Sequence, residues 1–436
     1  MKIIFIIPGS GDRFYCGNCF RDHLQAGALR RAGHDVVVMP LYLPLRDRSF
    51  QADTPLFFPA TSYYVSQKYF KKRRMPSWLE KRVASDFFLK MAASFSGTTS
   101  SEGTEGMTLS MINGDDPAFR QQVHTLVDWI QHHEKPDAVH LSSSLLTGIA
   151  RAVKEAIAVP LVCSLQDEEV WIDTLAEQYA RTAWNGILEN IKYVDRFIAS
   201  SEFYRTTILR RFPQIGEVDV VYPGIDTARY ASDDYPPDPV IGFFYRMNEA
   251  NGLHILAEAF AKLKRKPGFD RLRLRIGGGY TAGDKPFLKK IRRTLAPCRE
   301  AVDWCESYSL SAHAAFYKAI TVLCVPVTFD EGVGLYLCEA FAAGRPAVEP
   351  DTGSFGEITG NAGVLYTPNE AGALAGAIEK LLTTDGLWEQ CRENALHLSR
   401  TRYAGSTLAT ELVRIYRELS ENIHTDARPF NHSSEP

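Results

Sequence analysis

Hydrophobic positions in this chain form short continuous runs that alternate with segments in which apolar residues recur every three or four positions. The continuous runs, such as 2–7, 160–164 and 240–245, are typical of strands buried on both faces of a parallel sheet. The periodic segments between them, such as 253–263, predict helices that cover the sheet. The alternation therefore predicts an α/β protein with mostly parallel strands.

A break in this alternation at 232–239 divides the chain into two halves. The segment reads SDDYPPDP, which is acidic and carries three prolines, as is typical of a linker. Because strands and helices alternate on both sides, two facing sheets with a cleft between them are expected. We predict an N-terminal domain at 1–231 with an irregular insertion at 49–116, and a C-terminal domain at 232–403. Residues 404–436 should form a helix that packs back on the N-terminal domain, followed by a disordered tail.

Charge and composition exclude several classes of protein. The 436 residues include 49 Lys and Arg against 52 Asp and Glu, a net charge of −3, so no nucleic-acid partner is expected. No apolar run approaches the roughly 20 residues that span a bilayer, and the short apolar start is interpreted as a first strand. Cys163, Cys324 and Cys338 lie in apolar stretches, which favours reduced thiols and a cytoplasmic location.

Two segments permit more than one interpretation. Cys16 and Cys19 form a CxxC that fits either a plain loop-to-helix position or a metal or redox site. Tyrosines and phenylalanine at 63–70 precede four basic residues at 71–74, and this run fits either a solvated helix face or contact with a phosphorylated or lipidic acceptor. Any membrane contact is expected to be peripheral, through 63–82.

The segment 330–343 holds the strongest candidate chemistry. A strand at 321–327 leads to Glu331 in a loop, and a glycine-rich turn then opens a helix that is apolar on every side except at Glu339. A buried unpaired charge costs about 5 kcal/mol, so Glu339 needs a partner, either sugar hydroxyls or an internal Arg. The helix start provides free amides and the positive end of the helix dipole, which together form an anion site. Those amides belong to Val333, Gly334 and Leu335.

Glu331 and Glu339 are separated by seven residues, and EGVGLYLCEAFAAGRPAV resembles the E-x7-E segment of the family 4 retaining glycosyltransferases. The resemblance continues over most of the chain, in the order of the family's motifs. The matching positions are Gly17 with Gly33-His34-Asp35-Val36, Pro136-Asp137-Ala138-Val139-His140, Ser200-Ser201-Glu202, Pro223-Gly224-Ile225-Asp226, and Gly353 with Glu357. The resemblance implies an α/β GT-B fold, in which two facing Rossmann-like domains enclose an interdomain cleft.

The resemblance also implies roles for individual residues. Glu339 would hold the ribose hydroxyls of a nucleotide-sugar, Glu331 would contact the donor sugar, and Arg246 would bind phosphate through paired hydrogen bonds. Glu331 and Arg246 are therefore the candidate catalytic residues. The candidate donor-binding residues are Gly17, Arg246, Asn251, Gly332, Val333, Gly334, Leu335 and Glu339.

The chain departs from the family at three positions. Asn251-Gly252 replaces the usual Lys-Gly, which removes one cation from the phosphate site. The family's His-x-His reads His140-Leu141-Ser142, and Gln166 stands where a His usually precedes Asp167. Asp167 fits a substrate-binding role and a helix-capping role equally well. The candidate acceptor-binding or sugar-binding residues are His140, Ser142, Gln166 and Asp167.

These features predict a retaining glycosyltransferase that moves a sugar from a nucleotide-diphosphate donor to a small-molecule, glycan or lipid-linked acceptor. UDP is favoured by its frequency in the family, with GDP and ADP open. We expect neither a metal nor another cofactor. The alternatives are a nucleotide-sugar epimerase or a sugar phosphorylase on the same fold, and a non-catalytic protein that binds sugar nucleotides.

Overall fold

The structure is a computed structural model that describes residues 1–8, 17–41, 105–114, 117–165, 167–232, 234–305 and 310–426. Several predictions concern residues outside these ranges. They are the predictions on Cys16, on Gln166, on the run 63–82, on most of the insertion 49–116 and on the tail beyond 426.

The N-terminal half forms a parallel sheet covered by helices. Its strands are β1 (Lys2–Ile7), β2 (Asp35–Pro40), β3 (Ala138–Leu141), β4 (Leu161–Leu165), β5 (Arg196–Ala199) and β6 (Val218–Val220). Its helices are α1 (Gly17–Arg31), α2 (Glu105–Asn113), α3 (Pro117–His133), α4 (Ala150–Ala156), α5 (Glu168–Ile172), α6 (Glu177–Asn190), α7 (Glu202–Arg211) and α8 (Thr227–Tyr230). Among the described residues, the strand order is β2-β1-β3-β4-β5-β6.

The C-terminal half forms a second sheet of the same kind. Its strands are β7 (Val240–Phe244), β8 (Arg273–Gly277), β9 (Val302–Trp304), β10 (Val322–Leu323), β11 (Ala347–Pro350) and β12 (Gly363–Tyr366). Its helices are α9 (Leu253–Leu263), α10 (Lys285–Thr294), α11 (Leu310–Lys318), α12 (Leu335–Ala342), α13 (Phe355–Thr359), α14 (Ala371–Thr383), α15 (Leu387–Thr401) and α16 (Gly405–Asp426). In the described part of the chain, the order is β12-β11-β10-β7-β8-β9.

Each sheet has one point at which the strand order changes direction. In the N-terminal sheet it lies between β1 and β3, and in the C-terminal sheet between β7 and β10. Ligands of open α/β sheets bind at the carboxyl ends of the strands beside such a point. Arg246 follows β7 and Glu331 follows β10, so the C-terminal sheet brings both to that position. The predicted fold class, two Rossmann-like α/β domains, is confirmed.

One predicted element differs from the observed one. The strand predicted at 321–327 is paired only over Val322–Leu323, because the backbone turns at Val325, whose carbonyl accepts from the amide of Val327. Because the strand ends at Leu323, the rest of the predicted strand belongs to the loop that carries Glu331.

The C-terminal helix α16 crosses back to the N-terminal sheet. Leu408, Leu412 and Tyr416 of this helix pack in one cluster with Ile3 and Phe5 of β1. Because α16 covers β1, the first strand and the last helix share one hydrophobic core. Within the described residues, no helix has the length and apolar character required to cross a membrane.

This packing predicts the effect of truncating Leu412, which is fully buried. Leu412→Ala should lower the free energy of unfolding by about 3 kcal/mol, because it removes buried apolar surface and leaves a cavity. Urea unfolding measures the change, with Arg417→Ala on the exposed face of the same helix as the control. A Leu412→Ala protein as stable as the control would show that α16 does not belong to the N-terminal core.

Candidate active site between the two domains

The loop that carries Glu331 is held by a turn centred on Gly353. The amide of Ser354 donates to the carbonyl of Glu331 at 2.7 Å. Gly353 has a φ of +57°, and a Cβ at this position would lie 2.6 Å from the backbone nitrogen of Glu331. A side chain at 353 is therefore excluded both by conformation and by space. The glycine lets the turn press against Glu331 and fix its backbone.

The carboxylate of Glu331 lies over the start of its own helix. Oε1 accepts from the amide of Val333 at 3.4 Å, and Oε2 accepts from the Tyr336 hydroxyl at 3.3 Å. Burial raises the pKa of Glu331, and the amides of Gly334 and Val333 oppose this shift. In this structure the side chain of Glu331 occupies the start of the helix, and the binding of diphosphate there stays a prediction.

Gly332 is a point of close contact between the two domains. Its carbonyl accepts from the Ser201 hydroxyl at 2.7 Å, and the same hydroxyl accepts from the amide of Tyr204 to cap α7. A Cβ on Gly332 would lie 2.0 Å from Oδ1 of Asp167 and 3.0 Å from the Tyr204 ring. Only glycine allows this approach, which brings Glu331 and Asp167 to the same interface.

Glu357 makes a second contact between the domains. Its carboxylate accepts from the backbone amides of Glu202 and Phe203 at 2.8 and 3.0 Å, and from the Tyr222 hydroxyl at 2.7 Å. The two amides are at the first turn of α7, where a negative charge interacts favourably with the helix dipole. Glu357 therefore caps an N-terminal-domain helix from the C-terminal domain, and this accounts for its place in the motif that follows Gly353.

On the N-terminal side of the interface, acidic residues surround one buried Arg. Arg21 of α1 donates to the carbonyls of Leu165 and Ser142, which lie at the carboxyl ends of β4 and β3. Burial raises the pKa of Asp167 well above its usual range, and the nearby carboxylates of Glu331, Glu169 and Glu168 raise it further, whereas Arg21 opposes the rise. The interface therefore favours a protonated Asp167. The Tyr204 hydroxyl lies 2.7 Å from both Glu168 and Glu169.

Arg246 is held by a carboxylate that the motifs did not include. Its Nε and Nη2 donate to Asp284 at 3.1 Å, and Nη2 also donates to the Thr281 hydroxyl at 3.1 Å. Asn251 donates from Nδ2 to the carbonyl of Arg246 at 2.8 Å. The residue in place of the family's Lys therefore supports the backbone of Arg246 and adds no charge.

Glu339 is fully buried and has protein donors on both oxygens. Oε1 accepts from the Tyr230 hydroxyl at 2.6 Å and lies 3.1 Å from Nδ1 of His313, and Oε2 accepts from the Tyr317 hydroxyl at 3.1 Å. The prediction that this carboxylate needs partners is confirmed, but hydroxyls and a histidine provide them where an internal Arg was considered. A ribose that reached Glu339 would have to displace one of these donors.

Comparisons with known proteins match the two halves separately. A model described as glycosyltransferase family 4 matches residues 107–229, and one described as glycosyl transferases group 1 matches residues 238–384. The chain belongs to a glycosyltransferase family. The matching regions fall in both Rossmann-like domains and include the loop with Glu331 and the strand before Arg246, whereas β1, α1 and β2 lie outside them.

Individual relatives of this glycosyltransferase are distant. It is 27% identical over 232 residues to D-inositol 3-phosphate glycosyltransferase from Rhodococcus erythropolis, a match over 50% of this chain and 52% of the relative. It is 25% identical over 296 residues to glycogen synthase from Mycobacterium tuberculosis, over 65% and 69% of the two chains. The chain thus spans about half the length of the first relative.

The fold is also that of solved glycosyltransferase structures. The structure of Anabaena Alr3699/HepE in complex with UDP and glucose superposes with a TM-score of 0.66 at 17% identity, over 96% of this chain and 100% of that one. At this identity the likeness concerns the fold, and it covers both domains.

The geometry corrects two predictions about this glycosyltransferase. His140 is fully buried, with Nδ1 2.5 Å from the Tyr416 hydroxyl and Nε2 2.8 Å from the Ser164 hydroxyl. Burial lowers its pKa to about 3, so the neutral ring joins β3 and β4 to α16 and does not line the cleft. Asp167 occupies the N-cap position of α5, but its side chain makes no capping hydrogen bond, so the capping interpretation is wrong.

Two further candidates, Ser142 and Gly17, lie after β3 and at the start of α1. Ser142 is fully buried beneath Arg21, to which its carbonyl is bonded, and Gly17 begins α1. The sequence motifs did not identify several residues of the site. They are Arg21, Glu168, Tyr204, Tyr230, Asp284 and His313. Of these, only Asp284 had a local signal, because Thr281-x-x-Asp284 has the spacing of a capping box.

The raised pKa of Asp167 predicts a dependence of stability on pH. Between the usual Asp pKa of about 4 and the raised value, the folded protein retains a proton that the unfolded chain releases, so stability falls as pH rises through this window. Asp167→Asn removes that cost and should raise the thermal midpoint at pH 7 by at least about 2 °C. The gain should shrink as the pH approaches 4.

Calorimetric unfolding scans at pH 7 and pH 4.5 measure this difference. Asp385→Asn, at an exposed position on the C-terminal domain, is the matched control and should unfold with the wild type at both pH values. An Asp167→Asn protein less stable than wild type at pH 7 would mean that the ionised carboxylate stabilises the fold.

Proposed function

We propose that this chain is a retaining, metal-independent glycosyltransferase of family 4 that uses a UDP-sugar donor. The observation that carries the proposal is the interdomain contact at Gly332, which brings Glu331 of the C-terminal domain beside Asp167 of the N-terminal domain. A transferase needs such a site, because donor and acceptor bind to different domains and react between them. The UDP and glucose complex of the HepE neighbour supports a UDP-sugar donor.

In this proposal the C-terminal domain binds the donor. The amides at the start of α12 hold diphosphate and sugar oxygens once Glu331 turns from them toward the sugar hydroxyls. Negative charge that accumulates on the departing diphosphate is stabilised by these amides and by Arg246. Ribose hydroxyls take the place of the Tyr230 hydroxyl on Glu339.

The N-terminal domain holds the acceptor. A protonated Asp167 can donate a hydrogen bond to an acceptor or sugar oxygen, and Arg21 lies behind it. As the bond to the diphosphate breaks, the anomeric centre acquires oxocarbenium character. The acceptor hydroxyl then attacks from the face that the diphosphate leaves, and a phosphate oxygen takes its proton. Configuration is retained without a covalent intermediate on the enzyme.

A thermal-shift screen of UDP-, GDP- and ADP-sugars tests the donor, followed by assays of nucleotide release with small-molecule, glycan and lipid-linked acceptors. We expect a UDP-sugar to give the largest shift, and a product whose anomeric configuration, determined by NMR, equals that of the donor. The rate should not change when EDTA is added. Conversion of the donor alone to another nucleotide-sugar would indicate an epimerase, and inverted product would overturn the retaining mechanism.

Removal of the Glu331 carboxylate tests its role directly. Glu331→Ala should lower turnover at least about tenfold, because the donor sugar loses a charged hydrogen-bond acceptor in the transition state. The assay is release of UDP from the donor that the screen selects, and thermal unfolding verifies that the variant is folded. Glu393→Ala, at an exposed position of α15, is the control. Wild-type turnover in Glu331→Ala would remove Glu331 from the mechanism.

A further inference from the structure

We propose that Asp284 is a positioning residue that orients the guanidinium of Arg246 toward the donor diphosphate. The inference rests on the proposed function, in which Arg246 stabilises the departing diphosphate. It adds to the site a residue that lies outside the family motifs in this sequence, in the loop between β8 and α10.

The fold brings this loop to Arg246. Strands β7 and β8 are hydrogen-bonded neighbours, so the segments that follow them lie side by side at the carboxyl edge of the sheet. The amide of Met247 donates to the carbonyl of Gly279 at 2.9 Å. Gly278 has a φ of +105°, and a Cβ there would lie 2.3 Å from the Tyr245 carbonyl oxygen. The close approach of the two backbones sets the distance between Arg246 and Asp284.

The carboxylate of Asp284 is itself fixed by Thr281. Its Oδ2 accepts from the Thr281 amide at 2.8 Å and from the Thr281 hydroxyl at 2.7 Å. The bond from the Thr281 amide is one half of the capping box of a short 3₁₀ turn that precedes α10, and the other half joins the Asp284 amide to the Thr281 hydroxyl. Thr281 therefore holds Asp284 in place independently of Arg246. A residue that positions another side chain needs such support of its own.

The pair fixes the plane of the guanidinium. Asp284 occupies the side of Arg246 formed by Nε and Nη2, as a carboxylate does in a paired interaction with Arg. The two side chains are only 12% and 10% exposed, so the pair is largely shielded from water. The direction in which Nη1 points is consequently set by Asp284, and this is the side on which we expect the diphosphate.

The replacement of the family's Lys increases the importance of this orientation. Asn251 adds no positive charge, and its side-chain amide holds the Arg246 backbone. The paired carboxylate also offsets part of the charge of Arg246. Arg246 therefore stabilises the departing diphosphate more through the orientation of its guanidinium than through the net charge of the site.

Asp284→Asn tests the inference, because the amide has the same shape but no charge to hold the guanidinium. Arg246 stays charged in this variant, so the Kd of UDP should stay within about twofold of wild type or become lower, while kcat for UDP release from UDP-glucose falls about tenfold. Arg246→Lys should also lower kcat. The double variant should be no slower than Arg246→Lys alone, since Asp284 acts through Arg246.

Asp303→Asn is the matched control, because it removes an Asp–Arg pair between the neighbouring strands β8 and β9, with Arg273 at the opposite edge of the sheet. It should keep wild-type kcat. An Asp284→Asn protein with wild-type kcat, or with kcat and UDP affinity lowered together, would overturn the positioning role and leave the proposed function intact. A wild-type protein that neither binds UDP nor releases it from UDP-glucose would overturn both.

Discussion

The close contact between Gly332 and the N-terminal domain is the constraint on which the rest of the site depends. The absence of a side chain lets Asp167 and Tyr204 approach the loop between β10 and α12, and the Ser201 hydroxyl then bonds to the Gly332 carbonyl. Two carboxylates that belong to different domains lie near this contact, Glu331 buried and Asp167 partly buried. Removal of each carboxylate from water lowers the stability of the fold. Such a loss of stability is typical of ligand-binding sites.

Much of the fold follows from local patterns. Buried parallel strands are continuous apolar runs, and the helices that cover them repeat every three to four residues, so the alternation is visible along the chain. The turns can also be recognised in the sequence, because they require glycine. Gly353, for example, has positive φ and no space for a Cβ. The loop with Glu331 could therefore be recognised, and its position at the edge of a sheet followed from the strand before it.

Partners distant in sequence could not be predicted in the same way. Nothing local in the sequence relates His140 to Tyr416, which lies 276 residues away on the last helix, although this contact decides that the histidine is structural. Glu339 needed a partner on energetic grounds, but its partners come from two helices distant from it in sequence, Tyr230 from α8 and His313 and Tyr317 from α11. At these positions a motif predicts the residue, but tertiary packing determines the side chains that surround it.

Gly332→Ala tests the central claim most directly, because a methyl group placed 2.0 Å from Oδ1 of Asp167 must displace either that carboxylate or the loop that faces it. The account predicts that the C-terminal domain still binds UDP with wild-type affinity, while UDP release from the donor slows at least about tenfold, since the reacting groups no longer meet. Gly376→Ala, in a helix where the added methyl meets no neighbouring atom, should behave as wild type. Wild-type turnover in Gly332→Ala would contradict the account.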